Sequence, residues 1–98
     1  MRITRGSDNV FRDIGFPPAD AENLRIRTEM MVALRRYIRS RKLTQEKAAK
    51  RMGVARELIS GLMLGEINQF TVDMLIKMVA AAGLRVALQV KQGSKKVA

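Results

Sequence analysis

The chain has 98 residues, enough for one domain with a modest core, and 47% of them are hydrophobic. Its 19 Lys and Arg against 9 Asp and Glu give a formal net charge of +10, which favours nucleic acid over an anionic membrane surface as the partner. The absence of Cys and His excludes disulfides, thiol and imidazole catalysis and nearly every structural zinc site.

The sequence also argues against membrane insertion and catalysis. No stretch approaches the ~18 uninterrupted apolar residues that cross a bilayer, and residues 1–7 lack the apolar region of a secretion signal, so we expect a cytoplasmic protein. The carboxylates are scattered, no glycine loop could cradle a phosphate, and no nucleophile stands beside a plausible base. We expect neither an enzyme nor a bound cofactor or metal ion.

Residues 1–22 are predicted to form an N-terminal arm of low helix content, because they contain both prolines of the chain, Pro17 and Pro18. Large apolar side chains also fall in this stretch: Val10, Phe11, Ile14 and Phe16. We interpret them as covering the domain's own core, with a surface for a partner as the alternative.

A longer helix is predicted from about Ala21 to Arg41, since Met31, Leu34 and Ile38 recur at helical spacing. Its last turns are basic, with Arg35, Arg36, Arg39, Arg41 and Lys42. These charges fit either a contact with DNA phosphates or a solvated face, and both interpretations stay open here.

Two short helices with a tight turn between them are predicted next. Thr44 is a credible N-cap for the first helix. Ala48, Ala49 and Met52 form a small apolar face that lets a second helix approach closely, and Gly53 offers the positive φ that ends a helix. This pattern is typical of a DNA-reading helix-turn-helix.

The second helix of the pair is predicted from about Ala55 to Leu64. Val54 in the turn is expected to be buried between the helices, as are the apolar residues at helical spacing, Leu58, Ile59, Leu62 and Met63. The residues that face away from the core are Arg56, Glu57, Ser60 and Gly61. In a recognition helix, such side chains meet the major groove.

Two of these residues, Glu57 and Gly61, have a structural alternative to a DNA contact. Arg56 is the principal candidate, because a guanidinium can form two hydrogen bonds with guanine, and one such pair discriminates by ~1–3 kcal/mol. Glu57 could accept from cytosine or stabilise the helix start, and Ser60 could contact phosphate or base. Gly61 costs roughly 1 kcal/mol against Ala inside a helix, and close packing explains it better than close approach to DNA. Ala55 completes this set of predicted DNA contacts.

The motif resembles the lambda-repressor-like helix-turn-helix family, also called the XRE family. The similarity rests on Leu43-Thr44-Gln45-Glu46, Ala49, Gly53-Val54 and Ile59-Ser60-x-Leu62. Flanking segments around residues 9–16, 65–76 and 81–86 are similar to a subfamily that includes HigA-like antitoxins. Because flanks agree in order on both sides, the resemblance covers roughly residues 7–91.

The resemblance implies further DNA contacts on both sides of the recognition helix. At the start of the first motif helix these are Thr44, Gln45 and Lys47, and in the loop after the second they are Asn68 and Gln69. Gln45 could also be an ordinary exposed helix residue, and Asn68 a plain turn residue. The chain departs from many members of the family at Leu64 and Glu66, which place an apolar group and a negative charge beside the DNA.

After the motif, a further helix and a strand are predicted. Thr71 is a credible cap, Val72, Leu75, Ile76 and Val79 form its buried stripe, and Gly83 ends the helix. In residues 85–91 the apolar residues alternate, with Val86, Leu88 and Val90 on one face, the period of a half-buried strand. Since no second strand is visible, the same strand of another copy, or a strand of a different protein, would complete it; we expect a homodimer.

The expected fold class is therefore all-α, a compact lambda-repressor-like helix-turn-helix bundle of about four to five helices with one short C-terminal strand that pairs across a dimer. The predicted divisions are an N-terminal arm at 1–22, a DNA-binding domain at 23–84, a dimerisation strand at 85–91 and a flexible basic tail at 92–98.

The expected function is binding of operator duplex DNA as a regulator, and more specifically as a repressor. The resemblance adds an antitoxin role, in which the chain neutralises a RelE- or HigB-like toxin and represses their shared operon. One alternative is a stand-alone phage-type or chromosomal repressor without a toxin partner. An alternative of a different class is a protein- or RNA-interaction module without specific DNA readout.

Overall fold

The computed structural model describes residues 9–92; residues 1–8 of the predicted arm and residues 93–98 of the predicted tail lie outside the described residues. In the described part, the α-helices are α1 (Val10–Asp13), α2 (Pro18–Ser40), α3 (Gln45–Met52), α4 (Arg56–Leu64) and α5 (Val72–Ala81), with a 3₁₀ turn at Ile67–Gln69. The prediction of an all-α bundle of four to five helices is confirmed.

The longest helix, α2, forms the centre of the bundle. It packs against α5 and α4, while α3 packs against both α4 and α5. The core is built from side chains of α2, α3, α4 and α5 and of the loop before α5. The most completely buried are Leu34, Ile59, Leu62, Phe70, Leu75 and Met78. Ile76, predicted in the buried stripe of α5, is 44% exposed. None of the helices between residues 9 and 92 is long and apolar enough to cross a membrane.

Two helices begin at the capping residues that the sequence predicts, and α5 ends near the predicted glycine. Thr44 and Thr71 each accept a hydrogen bond at Oγ1, from the main-chain N–H of Lys47 and of Met74 respectively, both at 3.1 Å. These bonds satisfy donors that the first helical turn leaves unpaired, so both predicted caps are confirmed. α5 stops shortly before Gly83, which has a φ of 84°.

The N-terminal arm is more helical than its prolines suggest. α1 forms within it, where Oδ1 of Asn9 accepts a hydrogen bond from the N–H of Phe11 at 3.0 Å. α2 begins at Pro18, earlier than the predicted start near Ala21, because the first turn of a helix tolerates a residue without an N–H.

The apolar side chains of the arm do not join the core. Val10, Ile14 and Phe16 are 61%, 66% and 42% exposed, and Phe11 packs edge to face against Phe16 with ring centroids 6.1 Å apart. α1 packs against α2, and the core cluster of the described residues includes none of the arm's large apolar side chains. Our interpretation of these residues as core cover is therefore wrong.

The single chain does not form the predicted C-terminal strand. Residues 84–92 belong to neither strand nor helix, and Val86, Leu88 and Val90 are 44%, 83% and 87% exposed. A strand exists through hydrogen bonds to a neighbouring strand, and the described part of one chain supplies none. The three side chains therefore form no strand face here.

Candidate nucleic-acid interface

The first motif helix, α3, places several of the predicted DNA contacts at its start. Thr44 is its N-cap, Gln45 is its first residue, and Lys47 lies in its first turn, with all three residues exposed. Oγ1 of Thr44 is engaged by the N–H of Lys47. The side chains of Gln45 and Lys47 are the groups that remain available to a phosphate.

A left-handed turn joins α3 to α4. Gly53 adopts a φ of 70°, as predicted, and the following N–H, of Val54, donates to the carbonyl of Ala49 at 3.0 Å. Ala48 and Ala49 are buried, and these small side chains let α4 lie close to α3. The turn and this close packing together set the position of α4 relative to α3.

The second motif helix, α4, has one apolar and one polar side. Ile59 and Leu62 are fully buried on the inner side, whereas Arg56 and Glu57 are exposed and Ser60 is half-buried. Ala55 is the N-cap and gives no side-chain hydrogen bond. Neither Arg56 nor Glu57 has a hydrogen-bond or ion-pair partner among residues 9–92, so both are open to an external ligand.

Two arginines of α2 hold the end of α4 and the loop after it. Nη1 of Arg35 donates to the carbonyl of Leu62 at 3.4 Å, in the last turn of α4. Gly65, with a φ of 78°, follows the end of that helix. Nη1 of Arg27 donates to the carbonyls of Ile67 and Phe70, each at 3.2 Å. The sequence carries no local signal for either contact, because the partners lie far apart along the chain.

The loop after α4 presents the last predicted DNA contacts. Asn68 and Gln69 are both exposed in the 3₁₀ turn, and the side chain of Gln69 donates to the carboxylate of Glu66. Gly61 is buried beneath these loop side chains, which favours the close-packing interpretation of this glycine. Leu64, at the end of α4, is 72% exposed.

The basic residues at the end of α2 separate into two groups. The guanidinium of Arg41 stacks on the ring of Tyr37, with its central carbon 5.0 Å from the centroid, and the Tyr37 hydroxyl accepts from Arg51 at 3.0 Å. The other group lines an open groove of about 390 Å³ on the outer side of α2, formed by Val32, Arg35, Arg36, Arg39 and Ser40.

Charge is distributed unevenly along the described chain. Residues 30–92 contain twelve Lys and Arg against four Asp and Glu, whereas residues 9–29 contain three against four. In the latter segment Arg25 forms ion pairs with Glu22 and Glu29, at 2.5 and 2.7 Å. The excess of positive charge therefore lies in the part of the described chain that contains the motif.

Two short helices, joined by a left-handed glycine turn and with the polar side of the second one open, define a helix-turn-helix protein. The model of the helix-turn-helix domain family matches residues 10–91, most of the chain. The chain belongs to this family.

A similar solved structure is that of a protein described as an XRE-family transcriptional regulator. The two share 25% sequence identity and superpose with a TM-score of 0.71, over 81% of this chain and 89% of the other. The resemblance to the XRE-like fold is thus confirmed. No significant match was found among curated proteins.

Proposed function

We propose that this chain is a transcriptional regulator that reads operator DNA with the outward side of α4. The observation that carries the proposal is the state of Arg56 and Glu57, which are exposed at the start of α4 and bind no described residue of their own chain. An unpaired guanidinium on a helix start is suited to the two acceptors of guanine in the major groove. The proposal assigns the chain no catalysis.

Phosphate contacts would orient the recognition helix. Gln45 and Lys47 are exposed at the start of α3, which packs against α4, so both motif helices can meet the same duplex. The excess of positive charge in residues 30–92 supplies attraction that does not depend on sequence.

We further propose a homodimer. Val86, Leu88 and Val90 alternate along an exposed segment that has no partner strand in the described chain. The same segment of a second copy would complete an antiparallel pair and bury these side chains. A two-fold dimer would place two copies of α4 on half-sites roughly 34 Å apart, one turn of the duplex.

We also propose a role as repressor and antitoxin of a RelE- or HigB-like toxin. The flanking similarity to HigA-like antitoxins supports it, as do the exposed apolar residues of the arm, Val10, Ile14 and Phe16, which suit a protein partner. A stand-alone repressor is the competing proposal. A small toxin-like reading frame beside the gene, and co-purification of its product with this chain, would decide between them.

The proposed reading of DNA is tested by fluorescence anisotropy on the chain's own upstream DNA and on a shuffled duplex, across a salt series. Wild type, Arg56→Ala and Arg12→Ala are compared; Arg12 is an exposed residue of α1 and controls for the loss of one positive charge. We expect Arg56→Ala to lose the preference for the upstream duplex while keeping weak general binding, and Arg12→Ala to keep both.

If wild type binds both duplexes alike and weakens equally on both with salt, the charge acts without sequence readout. The interaction-module alternative, with the exposed arm as its protein contact, would then replace the proposal.

A further inference from the structure

Gly61 lies on the outward side of α4 and is nevertheless buried. With about 3.6 residues per turn, it follows Glu57 by one turn of the helix. The other residues of that side are exposed or half-buried: Arg56, Glu57, Ser60 and Leu64. A residue without a side chain is buried there only because other groups lie over it.

The side chains of Gln69 and Glu66 are those groups. A Cβ at position 61 would lie 2.8 Å from Oε1 of Gln69 and 3.1 Å from Oε1 of Glu66. These distances are shorter than ordinary van der Waals contact, so the carboxamide of Gln69 fills the space that a side chain at position 61 would take. Gln69 and Glu66 are themselves exposed to solvent.

The carboxylate of Glu66 sets the direction of that carboxamide. Nε2 of Gln69 donates to Oε1 of Glu66, and since a carboxylate only accepts, the amide nitrogen faces Glu66 while the amide oxygen faces Gly61. Main-chain hydrogen bonds fix the three residues to one another: Glu66 donates to the carbonyl of Gly61 at 2.9 Å, and Gln69 to that of Glu66 at 3.0 Å.

We infer that Gln69 reads a base of the DNA site from its position over Gly61, where its carboxamide takes the place of a side chain of α4. The inference rests on the proposed function. After donating to Glu66, the carboxamide retains one N–H, and no described residue donates to its oxygen. A donor and an acceptor side by side in one plane match N7 and the N6 amino group of adenine. Gln69 is then a specificity-determining residue, and Glu66 is a positioning residue.

The test starts with selection of preferred sites from a pool of randomised duplexes by wild type. The selected site and its single base-pair variants are then measured by anisotropy with Gln69→Ala, Gly61→Ala and the double variant. We expect Gln69→Ala to lose, by roughly 5- to 150-fold, the preference for one A·T pair and to keep the preferences that depend on Arg56. Gln89→Ala, an exposed glutamine outside the motif, is the matched control.

Gly61→Ala should have the same effect as Gln69→Ala, because the new Cβ displaces the carboxamide. Gly61 has no positive φ, and the atom nearest to the new Cβ is the end of a flexible side chain, so the variant should keep the thermal stability of wild type. The double variant should lose no more preference than either single variant, since both remove one contact.

Glu66→Ala separates orientation from charge. Loss of a carboxylate beside the duplex should raise the affinity for every sequence, while the freed carboxamide should lose part of its preference for A·T. If Glu66 had only a structural role, its replacement would not raise the general affinity for DNA while lowering the preference for A·T.

Four results would overturn the inference. Uniform loss of affinity in Gln69→Ala on all duplexes would make Gln69 a phosphate contact. Retention of the A·T preference in Gly61→Ala would remove the link to position 61. If wild type selects no sequence at all, the proposed function is refuted together with the inference. If sequence preference is lost in Arg56→Ala but not in Gln69→Ala, the inference is refuted and the proposed function stands.

Discussion

The guanidinium of Arg27 on α2 donates a 3.2 Å hydrogen bond to the main-chain carbonyl of Phe70, 43 positions later in the chain. The same nitrogen donates to the carbonyl of Ile67 at 3.2 Å, and Nε donates to Oδ1 of Asn23 at 2.7 Å. The 3₁₀ turn that carries Gln69 is thereby attached to the central helix. Arg27 therefore holds in place the turn that carries Gln69, one of the proposed DNA contacts.

Replacing Arg27 by Met should destabilise the protein measurably. Met keeps an apolar stem but forms none of the three hydrogen bonds, and the carbonyls of Ile67 and Phe70 lose a charged donor. Because the site is partly open to water, we expect a loss of about 1–2 kcal/mol, which for a domain of this size lowers the melting temperature by roughly 4–16 °C.

Arg36→Met, on the exposed side of the same helix, controls for the change of residue type. Hydrogen exchange at the amides of the 3₁₀ turn should accelerate in the Arg27 variant and stay at the wild-type rate in the control. An equal loss of stability in the two variants would show that the hydrogen bonds of Arg27 contribute nothing.

The glycine turn between α3 and α4 should resist substitution for a reason different from that at Gly61. Gly53 has a φ of 70°, and among the described residues no atom outside its chain neighbours lies within 4 Å of the Cβ that Ala would add there. Any cost of Gly53→Ala is therefore backbone strain, about 1–2 kcal/mol for an L-residue in the left-handed region. Thermal denaturation should show this loss, with a smaller loss for Gly53→Asn, since Asn tolerates the same region. Equal stability of Gly53→Ala and wild type would contradict the strain argument.

Stability should also fall at low pH through one ion pair of α2. The guanidinium of Arg25, by its hydrogen bond to Glu22, holds the pKa of that carboxyl below its ordinary value. A carboxyl whose pKa is lowered by folding stabilises the folded state at neutral pH, and this contribution is lost as the pH falls below the ordinary range of glutamate.

Glu22→Gln is therefore expected to melt below wild type at pH 7, and the gap between the two melting temperatures should narrow at pH 3, below the ordinary pKa of glutamate. A gap between the two melting temperatures that is the same at both pH values would exclude the ion pair as its cause. NMR titration of the Glu22 carboxyl should show its pKa rise in Arg25→Met, because the principal cause of the shift is then removed.

Local chemistry made much of the motif predictable. Thr44 caps α3 and Gly53 ends it because these residue types satisfy a helix terminus by themselves, without help from distant groups. The outward side of α4 could be predicted from helical periodicity. The spacing of the apolar residues places Arg56 and Glu57 on the side opposite the core, without knowledge of the residues that form that core.

Other features of the structure depend on residues that are far apart in the sequence, so no local sequence pattern predicts them. Arg27 resembles any exposed helix arginine until Phe70 is folded against it. The prediction for the arm was wrong because apolar composition indicates a tendency to be buried but does not say which element would cover the side chains. In the described chain no element covers Ile14.

The alternating C-terminal segment can be tested by two substitutions of equal charge. In an extended segment Leu88 shares a face with Val86 and Val90, whereas Gln89 faces the opposite way. If two copies pair through this face, Leu88→Lys introduces two ammonium groups into an apolar contact, and the dissociation constant of the dimer measured by sedimentation should rise at least tenfold. Gln89→Lys adds the same charge on the open face and should leave the dimer intact. A wild type that sediments as a monomer at every concentration, or equal behaviour of the two variants, would refute pairing through this segment and leave any dimer to another surface, such as the exposed arm around Ile14.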